Sequence, residues 1–391
     1  MYVERDISDH FDKIKEIYNT IAVVGPRQAG KTTFLKNRKG KQISYLLFDD
    51  PDIRSLFERD VKAFQERYLK GNRYSILDEV QICDDAGANL KYLNDEGNRM
   101  WVTSSSELLL GKEVLSYLVG RVSILRLFPF SIMEYIRARQ YDQKDRRQVS
   151  RSIRDLTGYG GYPKVVLEED RRMKQVILKD LYETMVIRDI AKVFGIGDIG
   201  ALERAVLYLA NMYTGQFSID SMSRDLAISF KTLRSYISAM EKSYLISMVP
   251  PYFTNPNKEL IKQPKIYFFD NGMRNVISGN VGMDIDGRSF ENLVFTELVK
   301  MGYRPKYWRK KTGQEVDFVV QMADEMVPIE VKLKTPGYRI ESGLRSYIRM
   351  YSPRRAIVVI AEGEGSEVEV EDTVVEFIDI IKFRRAFNFL I

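Results

Sequence analysis

The 391-residue chain is 45% apolar and 29% charged, enough to fill ordinary globular cores and too apolar for a disordered polymer. Its net charge of +6 is a mild bias, compatible with a nucleic-acid partner without requiring one. A single cysteine, Cys83, and a single histidine, His10, exclude an intrachain disulfide and a zinc site built on several Cys or His. They also disfavour Ser-His or Cys-His catalysis, so any hydrolysis must run on carboxylates, lysines, arginines and metal.

The N-terminal segment MYVERDISDH has no apolar signal core, and no apolar run approaches the ~20 residues of a membrane span. The expectation is a soluble, cytoplasmic protein of two or three domains with no membrane partner. Charge is uneven along it. Arg137–Arg154 holds seven basic and two acidic residues, and Glu362–Glu376 holds seven acidic and none basic. The first stretch suits phosphate contact or a solvated helix and linker equally well.

The first legible element is a short buried strand, Ile21–Val24, running into Gly25-Pro26-Arg27-Gln28-Ala29-Gly30-Lys31-Thr32-Thr33. This is the spacing of a phosphate-binding P-loop. Gly25 and Gly30 let backbone N–H groups curl inward into a nest, and a helix starting near Lys31 adds the positive end of its dipole. Lys31 would place its charge on the β- and γ-phosphates of ATP, and Thr32 would offer a hydroxyl to Mg²⁺.

Further strands follow at Ser44–Asp49 and Arg73–Asp78, the latter continuing into Glu79. An apolar strand ending in Asp-Glu places Asp78 to hold Mg²⁺ and Glu79 to polarise the attacking water. A helix near Tyr92 leads to a strand at Arg99–Thr103, ending at Thr103-Ser104-Ser105-Ser106. That polar tip senses the γ-phosphate, orients water or caps a helix. Val122–Leu127 completes an α/β pattern with a parallel sheet.

Gly25–Thr32, Leu77-Asp78-Glu79-Val80-Gln81, Thr103-Ser104-Ser105, Gly120-Arg121 and Leu127-Phe128-Pro129-Phe130-Ser131-x-x-Glu134 together resemble the archaeal and bacterial AAA-type ATPases that carry a C-terminal domain of unknown function. The resemblance implies an ATPase using ATP and Mg²⁺. It also gives Arg121 three readings: facing the nucleotide in cis, reaching a neighbouring subunit of a homo-oligomer, or covering a helix end.

Past the basic stretch, Gly158-Tyr-Gly-Gly-Tyr-Pro163 resembles a "GGYP" signature of the same family and reads as a static turn or a hinge. Asp170–Val193, including Tyr182, Arg188 and Asp189, reads as a charged helix between domains. Helices at Ala201–Tyr213, Ile219–Leu226 and Phe230–Lys242, the last capped by Ser229, precede a hairpin of Tyr244–Val249 and Lys265–Phe269. Three helices and a hairpin describe a winged helix, with Lys231, Thr232, Arg234 and Ser235 presented either to DNA or to a protein.

The last block starts with an amphipathic helix, Arg288–Lys300, carrying Glu291. Strands follow at Tyr303–Trp308, Gln314–Val320, Met326–Lys332 and, after a helix, Ala356–Ile360. Period-two alternation lets Asp317, Glu330 and Lys332 converge across neighbouring strands while Glu291 approaches from the helix. Such carboxylates suit a Mg²⁺ ion and such a lysine a scissile phosphate. The order Glu, Asp, Glu-x-Lys is similar to the PD-(D/E)XK nuclease superfamily, without its proline before Asp317. Gly313-x-Glu315-Val316-Asp317-Phe318 with Ile329-Glu330-Val331-Lys332 also resembles the C-terminal domain of the same ATPase family.

The expected architecture is therefore α/β throughout: an AAA-type P-loop domain over 1–150, a helical linker and winged helix over 151–280, and a restriction-endonuclease-like domain over 281–391. The leading function is an ATPase acting on DNA with a metal-dependent nuclease centre. The alternative is an ATP-driven, protein-binding switch whose nuclease-like site is inert. A small-molecule kinase fits Asp78-Glu79 and the appended domains poorly.

Overall fold

The structure, a computed structural model, describes residues 2–38, 42–105, 116–254 and 262–387, apart from the side chains of 186–189. Ser106 and the side chains of Arg188 and Asp189 lie outside the described residues. Two compact units are present. The first is Met1–Phe130 with Lys242–Tyr244; the second is Ser131–Glu241 with Leu245–Ile391.

In the first unit, β1 (Thr20–Val24), β2 (Ile43–Leu47), β3 (Tyr74–Asp78), β4 (Met100–Ser104) and β5 (Val122–Arg126) form a parallel sheet in the order β2-β3-β4-β1-β5. The inner strands β1, β3 and β4 are buried along their whole length, as the near-continuous apolar runs of a parallel sheet require. The chain turns from β1 to the far edge and later crosses back to β5. The loops after β1 and β4 consequently leave the same end of the sheet, beside the point where strand order reverses.

The second unit opens with Ser131, whose hydroxyl accepts from the Glu134 N–H while the Glu134 carboxylate accepts from the Ser131 N–H. This reciprocal cap starts the helix Ile132–Arg139. The first compact unit thus ends at Phe130. The basic stretch spans two helices of the second unit, Ile132–Arg139 and Arg146–Tyr159, and the segment between them. The middle and last blocks share the second compact unit.

The glycine-rich segment is a clasp. Gly161 N–H donates to Asp270 Oδ2 at 2.7 Å, and a Cβ on Gly160, at φ +76°, would lie 2.1 Å from Asp270 Oδ1. Asp270 Oδ1 also accepts from Met273 N–H, capping the helix Asn271–Ser278. Burial pushes the Asp270 carboxyl up from 3.8 to about 6, against the pull of those N–H groups. A raised folded value means the folded chain holds this proton more tightly. Its contribution to stability is complete below pH 3.8 and is lost as pH rises through about 6. Asp270→Asn should remove this slope in urea unfolding between pH 4 and 6. It should also cost about 1–3 kcal/mol, because the amide cannot accept from both N–H groups.

Helices Ile199–Met212, Ile219–Leu226 and Phe230–Lys242 pack Leu202, Val206, Leu209, Met222, Leu233, Ile237 and Met240 into one core. Ile266 and Phe268 close it from an antiparallel pair, β6 (Ile246–Val249) and β7 (Lys265–Phe268). Gln216 bridges Lys265 on the other side of β7. Ser229 caps the third helix, accepting from Thr232 N–H at 3.1 Å. Phe230, Lys231, Arg234 and Ser235 are exposed on it.

The last sheet has the order β12-β13-β11-β10-β9-β8, made of β8 (Lys306–Arg309), β9 (Glu315–Met322), β10 (Glu325–Lys332), β11 (Arg355–Ile360), β12 (Ser366–Val370) and β13 (Thr373–Asp379). Helix Ser342–Tyr351 packs Leu344, Tyr347 and Ile348 with Val316, Val319 and Val358. Phe295 of helix Gly287–Lys300 meets Phe318 and Tyr267. The acidic stretch forms the β12–β13 edge, where alternating glutamates discourage pairing with another chain. Among the described residues no helix is long and apolar enough to cross a membrane.

Candidate functional sites

The loop after β1 turns at Gly25 (φ 148°), Gln28 (φ 59°) and Gly30 (φ 95°) before the helix Lys31–Lys36. A Cβ on Gly25 would lie 2.1 Å from Leu127 O, so this position admits only glycine. Pro26 and Ala29 are buried in the turn, while Arg27, Gln28 and Thr33 are exposed. Lys31 Nζ donates to Gly25 O (2.9 Å) and Pro26 O (3.0 Å), which centres its charge inside the loop.

Asp78, at the end of β3, is held by three hydroxyls. Thr32 donates to it at 3.0 Å, Tyr45 at 2.6 Å, and Thr103 also donates. Thr103 Oγ1 in turn accepts from Glu79 N–H at 3.3 Å. Thr103, at the polar tip of β4, thereby orients the Asp78-Glu79 pair. Glu79 takes a left-handed backbone (φ 60°) and accepts from Gln81 Nε2 at 2.5 Å. Burial raises its pKa; Lys31 and the Gln81 bond oppose the rise.

Arg121 is not brought to the loop within this chain. The parallel register Thr20↔Val122 sets it at the end of the sheet where β1 begins, whereas the loop leaves after Val24. Five residues at about 3.3 Å each put roughly 15 Å between the two ends. There Arg121 Nε donates to Asp95 Oδ1 at 2.8 Å. Arg5 is the residue the sequence reading missed. Buried, it donates to Ala29 O (2.8 Å) and Phe128 O (2.6 Å), fastening the loop to the segment after β5.

The second site lies in the other unit. Asp317, Glu330 and Lys332 do come together on β9 and β10, with Glu291 reaching in from helix Gly287–Lys300. Glu291, Asp317 and Lys332 line one open pocket with Arg288 and Lys334. Past the last ladder pair, Phe318↔Ile329, Asp317 Oδ2 takes the Val331 N–H at 2.8 Å. Lys332 Nζ lies 2.8 Å from Glu330 Oε1, and Glu330 Oε2 is buried without a hydrogen-bond partner. Burial pushes all three carboxyls up, and the Asp317 charge adds to the rise at Glu291 and Glu330.

Glu291 has partners on the hairpin. It accepts from Tyr267 OH at 2.5 Å and lies 3.3 Å from Lys265 Nζ, both on β7. Lys265 also pairs with Glu315. Burial alone would lower its pKa, but Glu291, Asp317 and Glu315 hold it up. Among the described residues no three acidic, His or Cys side chains are disposed to ligate one ion. Asp317 and the free oxygen of Glu330 fit a Mg²⁺ ion that takes one or two carboxylates and completes its shell with water and phosphate. Nothing in the sequence near Glu-x-Lys points to Lys265, which comes from a hairpin about 65 residues upstream.

A parallel sheet with a glycine-lined loop after β1 and an Asp-Glu pair after β3 defines a P-loop nucleotide-binding domain. Residues 18–136 match the family model of an AAA domain. Residues 150–284 and 286–380 match two domains of unknown function, DUF8612 and DUF4143. An uncharacterized protein of Haemophilus influenzae is 26% identical over 338 residues, covering 80% of this chain and 82% of the relative. One of Mycobacterium tuberculosis is 26% identical over 373 residues, covering 91% and 79%. Among solved structures, the Walker-type ATPase of Pyrococcus abyssi is similar at a TM-score of 0.44 and 12% identity, over 70% of this chain and 96% of that one. The ORC2 protein of Aeropyrum pernix is similar at 0.42 and 12%, over 71% and 95%.

Proposed function

We propose that the chain hydrolyses ATP with Mg²⁺ at Lys31, Thr32, Asp78 and Glu79, and that it acts on DNA through a metal-dependent nuclease centre at Asp317, Glu330 and Lys332. The P-loop ligands would be the backbone of Gly25–Thr33 together with Lys31. The observation that carries the nuclease reading is the buried Asp317–Glu330 pair with Lys332 beside it and one carboxylate oxygen left without a partner. A divalent cation there would lower the pKa of bound water and neutralise charge on a phosphate. Lys332 would orient that phosphate, and Asp317 and Glu330 would hold the site together. The middle block, read as a winged helix, would present Lys231 and Arg234 to the duplex.

A second reading, a nucleotide-driven switch with an inert C-terminal site, is favoured by Lys265. Its ammonium already supplies a positive charge among the carboxylates. Cleavage of single- and double-stranded DNA in Mg²⁺ or Mn²⁺, with and without ATP, separates the two. We expect cleavage that Asp317→Ala and Lys332→Ala each reduce by at least about 10²-fold. ATP turnover with no cleavage by the intact chain would leave the switch.

A further inference from the structure

A cleft that the carboxylate centre does not use lies where the middle block meets β8. Its volume is about 690 Å³. The chain after β6 runs alongside β8, with Tyr252 N–H donating to Tyr307 O at 2.5 Å and Pro251 bridging Tyr307. The floor is rigid. Tyr307 OH donates to Gln263 O (2.5 Å) and accepts from Gln216 Nε2 (2.7 Å), and Gln216 Oε1 accepts from Arg309 (3.0 Å). Four cations, Lys262, Arg309, Lys310 and Lys311, line the cleft, and among the described residues no acidic one does. Lys262 and Lys311 are exposed and have no acidic partner among the described residues. The half-buried Phe253 and Tyr351 line the same cleft.

Cations flanking aromatic faces suit a polymer that offers phosphates and unstacked bases together. A duplex hides its base faces; a single strand exposes them. The cleft also leads to the carboxylate centre by contact: Arg309 Nη1 lies 3.2 Å from Glu315 Oε2, Glu315 pairs with Lys265, and Lys265 faces Glu291.

We infer that this cleft binds a single-stranded segment of nucleic acid, with Lys262, Arg309 and Lys311 on its phosphates and a base against Phe253 or Tyr351. The inference rests on the nucleic-acid reading above for the polymer, though not on cleavage.

The test is fluorescence anisotropy of the full chain in EDTA with labelled oligo-dT, oligo-rU and a duplex of equal length. Because metal is absent, a failure of the nuclease reading leaves this result untouched. Single strands should bind more tightly than duplex, and the dT and rU arms distinguish DNA from RNA. Lys262→Ala with Lys311→Ala should reduce the salt slope by about 1.4, at roughly 0.7 per phosphate contact on a single strand. Phe253→Ala should weaken binding roughly 5- to 150-fold, the range of one stacked base. All three positions are exposed or half-buried, and unchanged urea unfolding confirms the fold of each variant. No single-strand binding, or binding whose affinity and slope these variants leave unchanged, overturns the inference. So does binding lost only in Lys231→Ala with Arg234→Ala.

Discussion

Lys31→Ala should lower ATP turnover by about 10²–10³-fold or more, while the urea unfolding of the first unit stays close to that of the intact chain. Lys31 Nζ sits on Gly25 O and Pro26 O inside the loop, so its charge is already where the β- and γ-phosphates would arrive. Removing one preorganised donor from such a site costs about 2.7–4 kcal/mol of transition-state stabilisation. The change has a second consequence. Lys31 opposes the burial that raises Glu79, so its loss pushes the Glu79 carboxyl further up and leaves less base at a given pH. The two effects separate in a parallel variant. Glu79→Gln keeps the loop and its lysine, and should retain ATP binding while losing roughly 10²–10⁴-fold in turnover. Phosphate release at saturating ATP and binding of a fluorescent nucleotide measure the two quantities. Full turnover by the Lys31 variant would remove the phosphate-loop assignment.

The nucleotide site was legible because its chemistry is local. A strand, a loop and a helix occupy thirteen consecutive residues from Ile21 to Thr33, and Asp78-Glu79 ends another strand. Of the readings open for Arg121, the strand order bears on the one that faces the nucleotide in cis. Arg121 precedes a strand parallel to β1, and a residue before a parallel strand lies at the opposite sheet edge from a loop after its neighbour. Thr103 was ambiguous because sequence does not say that β3 and β4 are adjacent, which is what sets its hydroxyl on Asp78. Arg5 lies 123 residues from Phe128, and no periodicity announces such a clamp. The β12 strand was hidden inside an acidic run whose Glu-Val-Glu-Val alternation is the period of a strand, not of a solvated tail.

Lys265 shows the same limit with a larger energetic consequence, and Lys265→Met should be the most destabilising of these changes. The ammonium is 3% exposed, lies 3.3 Å from Glu291 Oε1 and pairs with Glu315. Methionine fills much the same volume, so the loss is mainly electrostatic. Removing one partner from a buried ion pair typically costs about 3–5 kcal/mol, because it leaves charge uncompensated. Urea unfolding of the second unit in EDTA should show that loss. A divalent cation should then return part of it, since an ion bound only to the folded state at 100 times its Kd stabilises by about 2.7 kcal/mol. The intact chain should gain less from Mg²⁺ or Mn²⁺ than the variant does, because Lys265 already neutralises Glu291 and Glu315. If cation and lysine compete in this way, the centre is built to exchange one positive charge for another. A variant as stable as the intact chain in EDTA, or one that Mg²⁺ stabilises no more than it does the intact chain, would show that Lys265 is packing alone.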